Sequence, residues 1–261
     1  MAAVIESRIR SHHRQEIALT SSDMNGLPGP ASSLWPLPLI GGLLPAIAAV
    51  AALWLSIALD LIPPCNPFLD GCVSISRAAR HDLPNHLFRA LVLPAAVLQG
   101  ITWLLCAAWL RTVAPEARRP LRALPWLGVM ACVFLILYGT FLGTEGQAYR
   151  WMRRYGIIFY FGFTFLCMLI TSGALWRLSR SGTIALPARL DRVLVALCVV
   201  TLAIGLVQVF VPPLLDGQDL KNRLENVLEW YAALAFTLFF LALAWVWRHA
   251  RFTARLGSGE S

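Results

Sequence analysis

The sequence predicts an all-α, polytopic membrane protein: a bundle of six transmembrane helices with both termini in the cytoplasm. Of its 261 residues, 58% are hydrophobic and 14% are charged, and its mean hydropathy is +0.65. In soluble domains about a quarter of the residues are charged, so a soluble fold is excluded. Six apolar stretches are each long enough to cross a hydrocarbon core of about 30 Å. The arginines between them are sorted by side, which predicts the orientation.

The six apolar stretches divide the chain into a membrane domain and two tails. Helices are expected because backbone polar groups inside a bilayer must bond one another. The predicted spans lie near residues 39–62, 86–110, 125–143, 154–178, 191–211 and 225–247. We therefore predict a polar cytoplasmic tail over 1–37, a membrane domain over 38–249 and a second cytoplasmic tail over 250–261. The first tail lacks the pattern of a cleaved signal peptide, so the first span is expected to remain as an anchor.

Basic residues are divided unequally between the two sides of the predicted membrane. The tails and the second and fourth connections carry 14 arginines and six acidic residues, whereas the other side carries eight basic and eight acidic residues. Cytoplasmic segments are enriched in arginine and lysine, so the first side is expected to be cytoplasmic. The predicted net charge is +8 inside and zero outside.

The strongly basic composition has a topological explanation. A pI near 9.7 would suggest nucleic-acid binding in a soluble protein, but here the excess lies beside headgroups, where anionic lipids attract it. No nucleic-acid partner is expected. The chain has 21 arginines but a single lysine, together with abundant alanine, which is typical of a GC-rich genome. We therefore expect a multi-pass protein of a bacterial inner membrane.

Two of the six cysteines differ from the others in position. Cys65 and Cys72 lie in the first outer connection, and the turn-prone segment between them contains asparagine, proline and glycine. Disulfides persist in oxidising compartments, so a bridge between them is one interpretation and two free thiols is the other. The remaining four lie within spans, where a packing role is expected.

Charged residues are missing from the middle of every predicted span. Coupled transporters place ionisable groups there, so a small-molecule transporter is disfavoured. Gln99 and Gln208 are the only strongly polar side chains deep within spans, and we expect each to form hydrogen bonds between helices. The sequence contains no phosphate loop, dinucleotide fingerprint or paired histidines within spans, and we expect no cofactor.

The remaining ionisable residues gather at the predicted outer ends of the helices. Glu225 and Glu229 are four residues apart on one face of the sixth span, beside Trp230. Burying a carboxylate there requires a partner, so one interpretation is a structural ion pair and the other is a site for a lipid headgroup. The arginines considered as partners are Arg89, Arg150, Arg153, Arg154 and Arg223.

A second polar group precedes the second span. His81, Asp82 and His86 lie close together in the sequence, and Asp82 and His86 have the spacing of a helical metal-ligand pair. Pro84 interrupts the helix that this spacing requires. We therefore predict no metal site and interpret the segment as solvated.

Several of these residues together resemble a known family. The residues that carry the resemblance are Ser74, Ile75, Ser76, Pro84, Phe88, Arg89, Glu229 and Trp230. With six spans, they are similar to the Frag/DRAM/Sfk family, whose members include a protein of glycosylphosphatidylinositol-anchor remodelling and modulators of autophagy in lysosomes. The resemblance covers about residues 38–250 and implies a role at membrane lipids. Many relatives carry a histidine before the fourth span, where this chain has Tyr149, Arg150 and Trp151.

These patterns leave three functional hypotheses. The first is a non-enzymatic or accessory membrane protein whose outward-facing polar site binds a membrane lipid or another membrane protein. The second is a lipid-remodelling enzyme that transfers an acyl chain or headgroup, with His81, Asp82 or Glu229 as acid or base. The third is the transporter. The candidate site comprises Ser74, Ser76, His81, Asp82, Arg89, Glu225, Glu229 and Trp230.

Overall fold

The computed structural model describes residues 32–254, except 115–117, 185 and 188. Its helices are α1 (Pro36–Ala58), α2 (Ile75–Ala78), α3 (Asp82–Val113), α4 (Arg118–Phe141), α5 (Gln147–Arg180), α6 (Leu190–Phe210) and α7 (Gln218–His249). A 3₁₀ helix (Pro212–Leu214) separates α6 from α7. Two short strands, β1 (Ser32–Ser33) and β2 (Thr253–Ala254), pair antiparallel and form a unit of their own. Most of the predicted tails, residues 1–31 and 255–261, lies outside the described residues.

The predicted six-span architecture is confirmed. Helices α1, α3, α4, α5, α6 and α7 are each long and apolar enough to cross a membrane. Most extend beyond the predicted spans because helices continue into the polar interface, where hydropathy no longer marks them. Three helices end before the predicted limit, and the first span differs most. It was predicted to end at residue 62, but α1 ends at Ala58, since Pro63 and Pro64 cannot continue a helix and Asp60 has a positive φ.

Within residues 35–251, the six long helices form a closed ring. Each packs against the next in the order α1, α3, α4, α5, α6, α7, and α7 packs against α1. We call residues 59–81 the first loop. The end of the bundle that carries this loop, together with residues 142–146 and 211–217, is the first-loop end. The other end, where α1 begins and α7 ends, is the opposite end.

Close backbone approach and one polar side chain hold α1 in the ring. A Cβ atom at Gly42 would lie 2.5 Å from Cβ of Phe240, so α1 and α7 meet where α1 has no side chain. Gln99 of α3 donates to the carbonyl oxygen of Gly41 at 2.9 Å and accepts from the Tyr160 hydroxyl at 3.1 Å. The predicted interhelical role of Gln99 is therefore confirmed. Gln208 instead lies exposed on α6, and the expected bond is absent from the described part of the chain.

Candidate functional site

The first loop is fastened to the first turns of α7 by hydrogen bonds. The Trp230 indole N–H donates to the carbonyl oxygen of Val73 at 2.9 Å, and the Asn226 amide donates to that of Gly71 at 2.8 Å. Gly71 has φ +60°, and a Cβ there would lie 2.2 Å from the carbonyl oxygen of Arg223. Only glycine permits this approach of loop to helix. These contacts fix the loop along one face of α7.

A disulfide closes the outer part of the first loop. Cys65 and Cys72 are joined by it, with their Cα atoms 6.5 Å apart. Between them, the Asp70 carboxylate accepts from the backbone N–H of Asn66 at 2.9 Å. The Phe68 ring packs against Trp230, with centroids 5.5 Å apart. The turn enclosed by the disulfide is therefore held by Trp230, which also bonds the backbone at Val73.

Glu229 stabilises the amino end of α2, the short helix in the first loop. Its carboxylate accepts hydrogen bonds from the backbone N–H groups of Ile75 and Ser76, the first two residues of α2. Ser74 precedes them, and its hydroxyl accepts from the backbone N–H of Arg77 at 3.1 Å. Free N–H groups at a helix start favour a carboxylate, so these bonds hold the half-buried Glu229.

The considered ion pair is not formed in the part of the chain that the structure describes. None of Arg89, Arg150, Arg153, Arg154 and Arg223 bonds the Glu229 carboxylate, and Arg223 instead pairs with Asp219 at 3.0 Å. The physical reason is that two backbone donors already meet the carboxylate. In the described residues, backbone N–H groups of α2 therefore stand where a cation was considered.

The candidate residues do not all come together. Hydrogen bonds at the first loop bring four of them together: Ser74, Ser76, Glu229 and Trp230. Glu225, one turn nearer the start of α7, is exposed. His81 and Asp82 are exposed too, and in the described residues their side chains have no hydrogen-bond or salt-bridge partner. Arg89 is half-buried in α3 without such a partner there.

Glu229 also lines an internal cavity of about 70 Å³. The cavity lies between α1, α3, α4, α5 and α7, and its walls are mostly apolar side chains such as Val92 and Phe236. Gln99 and Tyr160, which are bonded to each other, also line it. The volume exceeds that of one water molecule but is far below that of a drug-sized ligand pocket.

A larger, open cleft of about 590 Å³ lies between the first loop and the amino end of α5. Four arginines line it, with Trp151 and Tyr155 among its other walls. We call it the arginine cleft, and its arginines are Arg80, Arg150, Arg153 and Arg154. No carboxylate forms a salt bridge with any of the four in the described part of the chain. The cleft is therefore a concentration of positive charge open to a ligand.

Two residues separate the arginine cleft from the internal cavity. Tyr138 and Ile157 line both. The hydroxyls of Tyr138 and Ser76 lie 2.8 Å apart and share a hydrogen bond, which joins α4 to the first loop at this wall. Nearby, the buried Asn85 amide donates to the carbonyl oxygens of Ala79 and Leu142. The cleft wall is thus built from side chains that join the first loop to the helices around it.

The four arginines are held differently. Arg153 donates to the carbonyl oxygens of Phe141 and Thr144, so it satisfies the end of α4. Arg150 donates to the Gln147 amide oxygen at 2.6 Å. Arg80 and Arg154 are exposed and have no hydrogen-bond or salt-bridge partner in the described residues. Arg153 has a structural role, whereas the other three can turn donors toward a ligand.

This cleft does not follow from the sequence pattern, in which these arginines stand out only as partners for Glu229. A usable signal was present. Arg150, Arg153 and Arg154 fall in the first turns of α5, which has no acidic residue in its first turn. Cations at a helix amino end oppose the helix dipole and one another. A basic cluster at such a position, in a helix whose first turn contains no acid, indicates a charge kept for something other than folding.

The fold and these sites define a multi-pass α-helical membrane protein with a polar cleft at the first-loop end. Residues 33–250 match the model of the Frag1/DRAM/Sfk1/Cwh43P N-terminal domain. The chain therefore belongs to the Frag/DRAM/Sfk family, which confirms the resemblance seen in the sequence. No curated protein and no solved structure matches it.

Proposed function

We propose that this protein binds a membrane lipid in the arginine cleft without chemically transforming it, and that the first-loop end faces outward. The observation that carries the proposal is the location of the cleft. It lies at the first-loop end, beside the amino end of the spanning helix α5, where headgroups are expected, and its volume suits a small ligand or headgroup. Around it, the loop is fixed by a disulfide and by bonds to α7, so the cleft walls are preorganised.

The structural contacts favour binding over catalysis. His81 and Asp82, the candidate acid and base, are exposed and have no orienting partner in the described chain. Glu229 lines the internal cavity rather than the cleft, and two backbone N–H groups of α2 act on its carboxylate. General acid–base catalysis requires a positioned group within reach of the reacting atoms. The loop motif therefore supports a structural role, and the cleft supports recognition.

Photocrosslinking tests the lipid site. The exposed Gln147, which lines the cleft, is replaced by benzoylphenylalanine, and the protein is irradiated in its native membrane. Mass spectrometry then identifies the attached molecules. The matched control is the same substitution at Val199, 60% exposed on the lipid-facing α6. We expect the Gln147 label to capture an enriched lipid species and the Val199 label to capture the bulk composition. Equal composition at both positions would refute the proposal.

Two further measurements test the remaining parts of the proposal. The captured species should keep its mass when it is incubated with the purified protein. A converted product would instead support the enzyme hypothesis.

In a Gln147→Cys variant, the introduced cysteine has no disulfide partner. It should react with a membrane-impermeant thiol reagent in intact cells if the first-loop end faces outward. Labelling only after lysis would reverse the orientation.

A further inference from the structure

The arginine cleft continues into a row of aromatic rings on the surface of α5. Trp151 and Tyr155 belong to the cleft, and Phe159 and Phe163 follow at four-residue intervals. The ring centroids of Tyr155 and Phe159 are 6.3 Å apart, and those of Phe159 and Phe163 are 6.0 Å apart. We call these four residues the aromatic stripe. Side chains four apart lie on one face of a helix, so the stripe runs along α5 away from the cleft.

The stripe lies against the surrounding bilayer rather than inside the bundle. Trp151, Tyr155 and Phe159 are 56%, 46% and 44% exposed. Phe134 of α4 packs against Phe159 at 4.9 Å and widens the surface at that level. At about 1.5 Å per residue, the stripe from Trp151 to Phe163 is about 18 Å long. One leaflet of hydrocarbon is about 15 Å thick, so the stripe matches a single acyl chain.

From these observations we infer that the arginine cleft binds the phosphate of an anionic phospholipid, whose acyl chain lies along the aromatic stripe of α5. This inference rests on the proposed lipid-binding function and adds the chemical class of the ligand. Guanidinium groups form charge-assisted, often bidentate bonds to phosphate oxygens. The arginines that point to this chemistry are Arg80, Arg150 and Arg154, because Arg153 is already bonded to backbone carbonyls.

The electrostatic setting of the cluster supports an anion. Arg80 and Arg150 both act on Arg153 as like charges, and the amino end of α5 adds the positive pole of a 34-residue helix. These like charges repel one another in the unliganded cluster. A phosphate in the cleft would remove the repulsion and use the unsatisfied helix donors. Binding should therefore stabilise the folded protein as well as position the lipid.

A binding experiment with two matched double variants tests the charge. Purified protein in phosphatidylcholine nanodiscs is titrated with phosphatidic acid, and binding is followed by native mass spectrometry. The cleft variant is Arg150→Gln with Arg154→Gln. The control is Arg119→Gln with Arg122→Gln, which removes the same charge from exposed arginines at the amino end of α4. Loss of one bond to a charged group lowers affinity by about tenfold or more, so we expect at least a tenfold loss of affinity only in the cleft variant.

The outcomes separate this inference from the proposed function. An enriched but uncharged lipid at Gln147 would leave lipid binding standing and overturn the anionic class. Equal loss in both double variants would show a general effect of charge and overturn the site. Glycerol 3-phosphate and inorganic phosphate serve as soluble probes. If either probe displaces phosphatidic acid at an equal concentration, the site binds free phosphate and the lipid assignment is wrong.

A second pair of variants tests the acyl chain. Phe159→Ala removes the centre of the stripe, and Phe210→Ala removes an aromatic ring that is 63% exposed on α6. We expect Phe159→Ala to weaken the binding of long-chain phosphatidic acid several-fold and to leave the binding of dihexanoyl phosphatidic acid unchanged. Phe210→Ala should alter neither. An equal effect of Phe159→Ala on both chain lengths would place the chain elsewhere and overturn this half of the inference.

Discussion

The two ends of the bundle use arginine in opposite ways. At the opposite end, Arg111 donates to the carbonyl oxygen of Leu121, Arg180 lies 4.7 Å from the Trp176 ring centroid, and Arg248 lies 5.4 Å from that of Trp35. Each of these has a separate partner around the rim. At the first-loop end, four arginines line one cleft. The arrangement of the charges, rather than their number, therefore marks the site.

The two ends also differ in how their backbone is held. The opposite end relies on helix packing, as at Gly42 against Phe240. The first-loop end carries a longer connection, and side chains of α1, α3, α4 and α7 bond it or meet it. Ser56 of α1, for example, donates to the carbonyl oxygen of Ala78 at 2.6 Å. This many fixed points are expected where a site must keep its shape without regular packing.

The largest expected effect comes from removing the tryptophan that anchors the loop. Trp230→Ala deletes a buried ring and its bond to Val73, so the free energy of unfolding should fall by about 3–5 kcal/mol. The control at the opposite end is Trp245→Ala, because Trp245 is 56% exposed. Denaturant unfolding in detergent followed by circular dichroism measures both. Equal losses would mean that the two ends are not held differently.

Removing the disulfide should have the next largest effect. Replacing Cys65 and Cys72 together by serine opens a short loop, and the chain-entropy relation gives a loss of about 2.5 kcal/mol. A reductant should lower the stability of the natural sequence by the same amount. It should not change the double variant further, since the four other cysteines of the described chain are free thiols. A reductant effect that survives in the variant would contradict the assignment.

A glycine packed against the backbone of one cleft arginine gives the next prediction. Gly143 has φ +84°, and a Cβ there would lie 2.6 Å from the carbonyl oxygen of Arg80. Gly143→Ala should cost about 1–3 kcal/mol and displace Arg80, which lowers phosphatidic acid binding. Gly173→Ala is the matched control, since nothing lies within 4 Å of its added Cβ. Thermal unfolding and the nanodisc titration should both separate the two variants. If stability falls but phosphatidic acid binding does not, Arg80 does not contact the ligand.

The sequence predicts the helices well and the site poorly, for a physical reason. Hydropathy depends on local composition, so six spans follow directly from it. Pairing depends on geometry between distant residues, and Glu229 illustrates this. Five arginines are predicted at the same depth along the helices as Glu229, so any of them could pair with it. Its partners are instead backbone N–H groups of Ile75 and Ser76, which no side-chain pattern reveals. Arg150, Arg153 and Arg154 were visible, but their convergence with Arg80 depends on the path of the first loop.

The smallest expected effect tests the wall between the two cavities. Tyr138→Phe removes the hydroxyl that bonds Ser76, and Ser76→Ala removes its partner. Each should lower the free energy of unfolding by about 1 kcal/mol, because a neutral hydrogen bond contributes about that much. The double variant should lose little more than either single one, since both remove the same bond. Additive losses would show that the hydroxyls act independently. If the shared bond keeps the cleft apart from the internal cavity, Tyr138→Phe should also let the Gln147 label reach residues of that cavity.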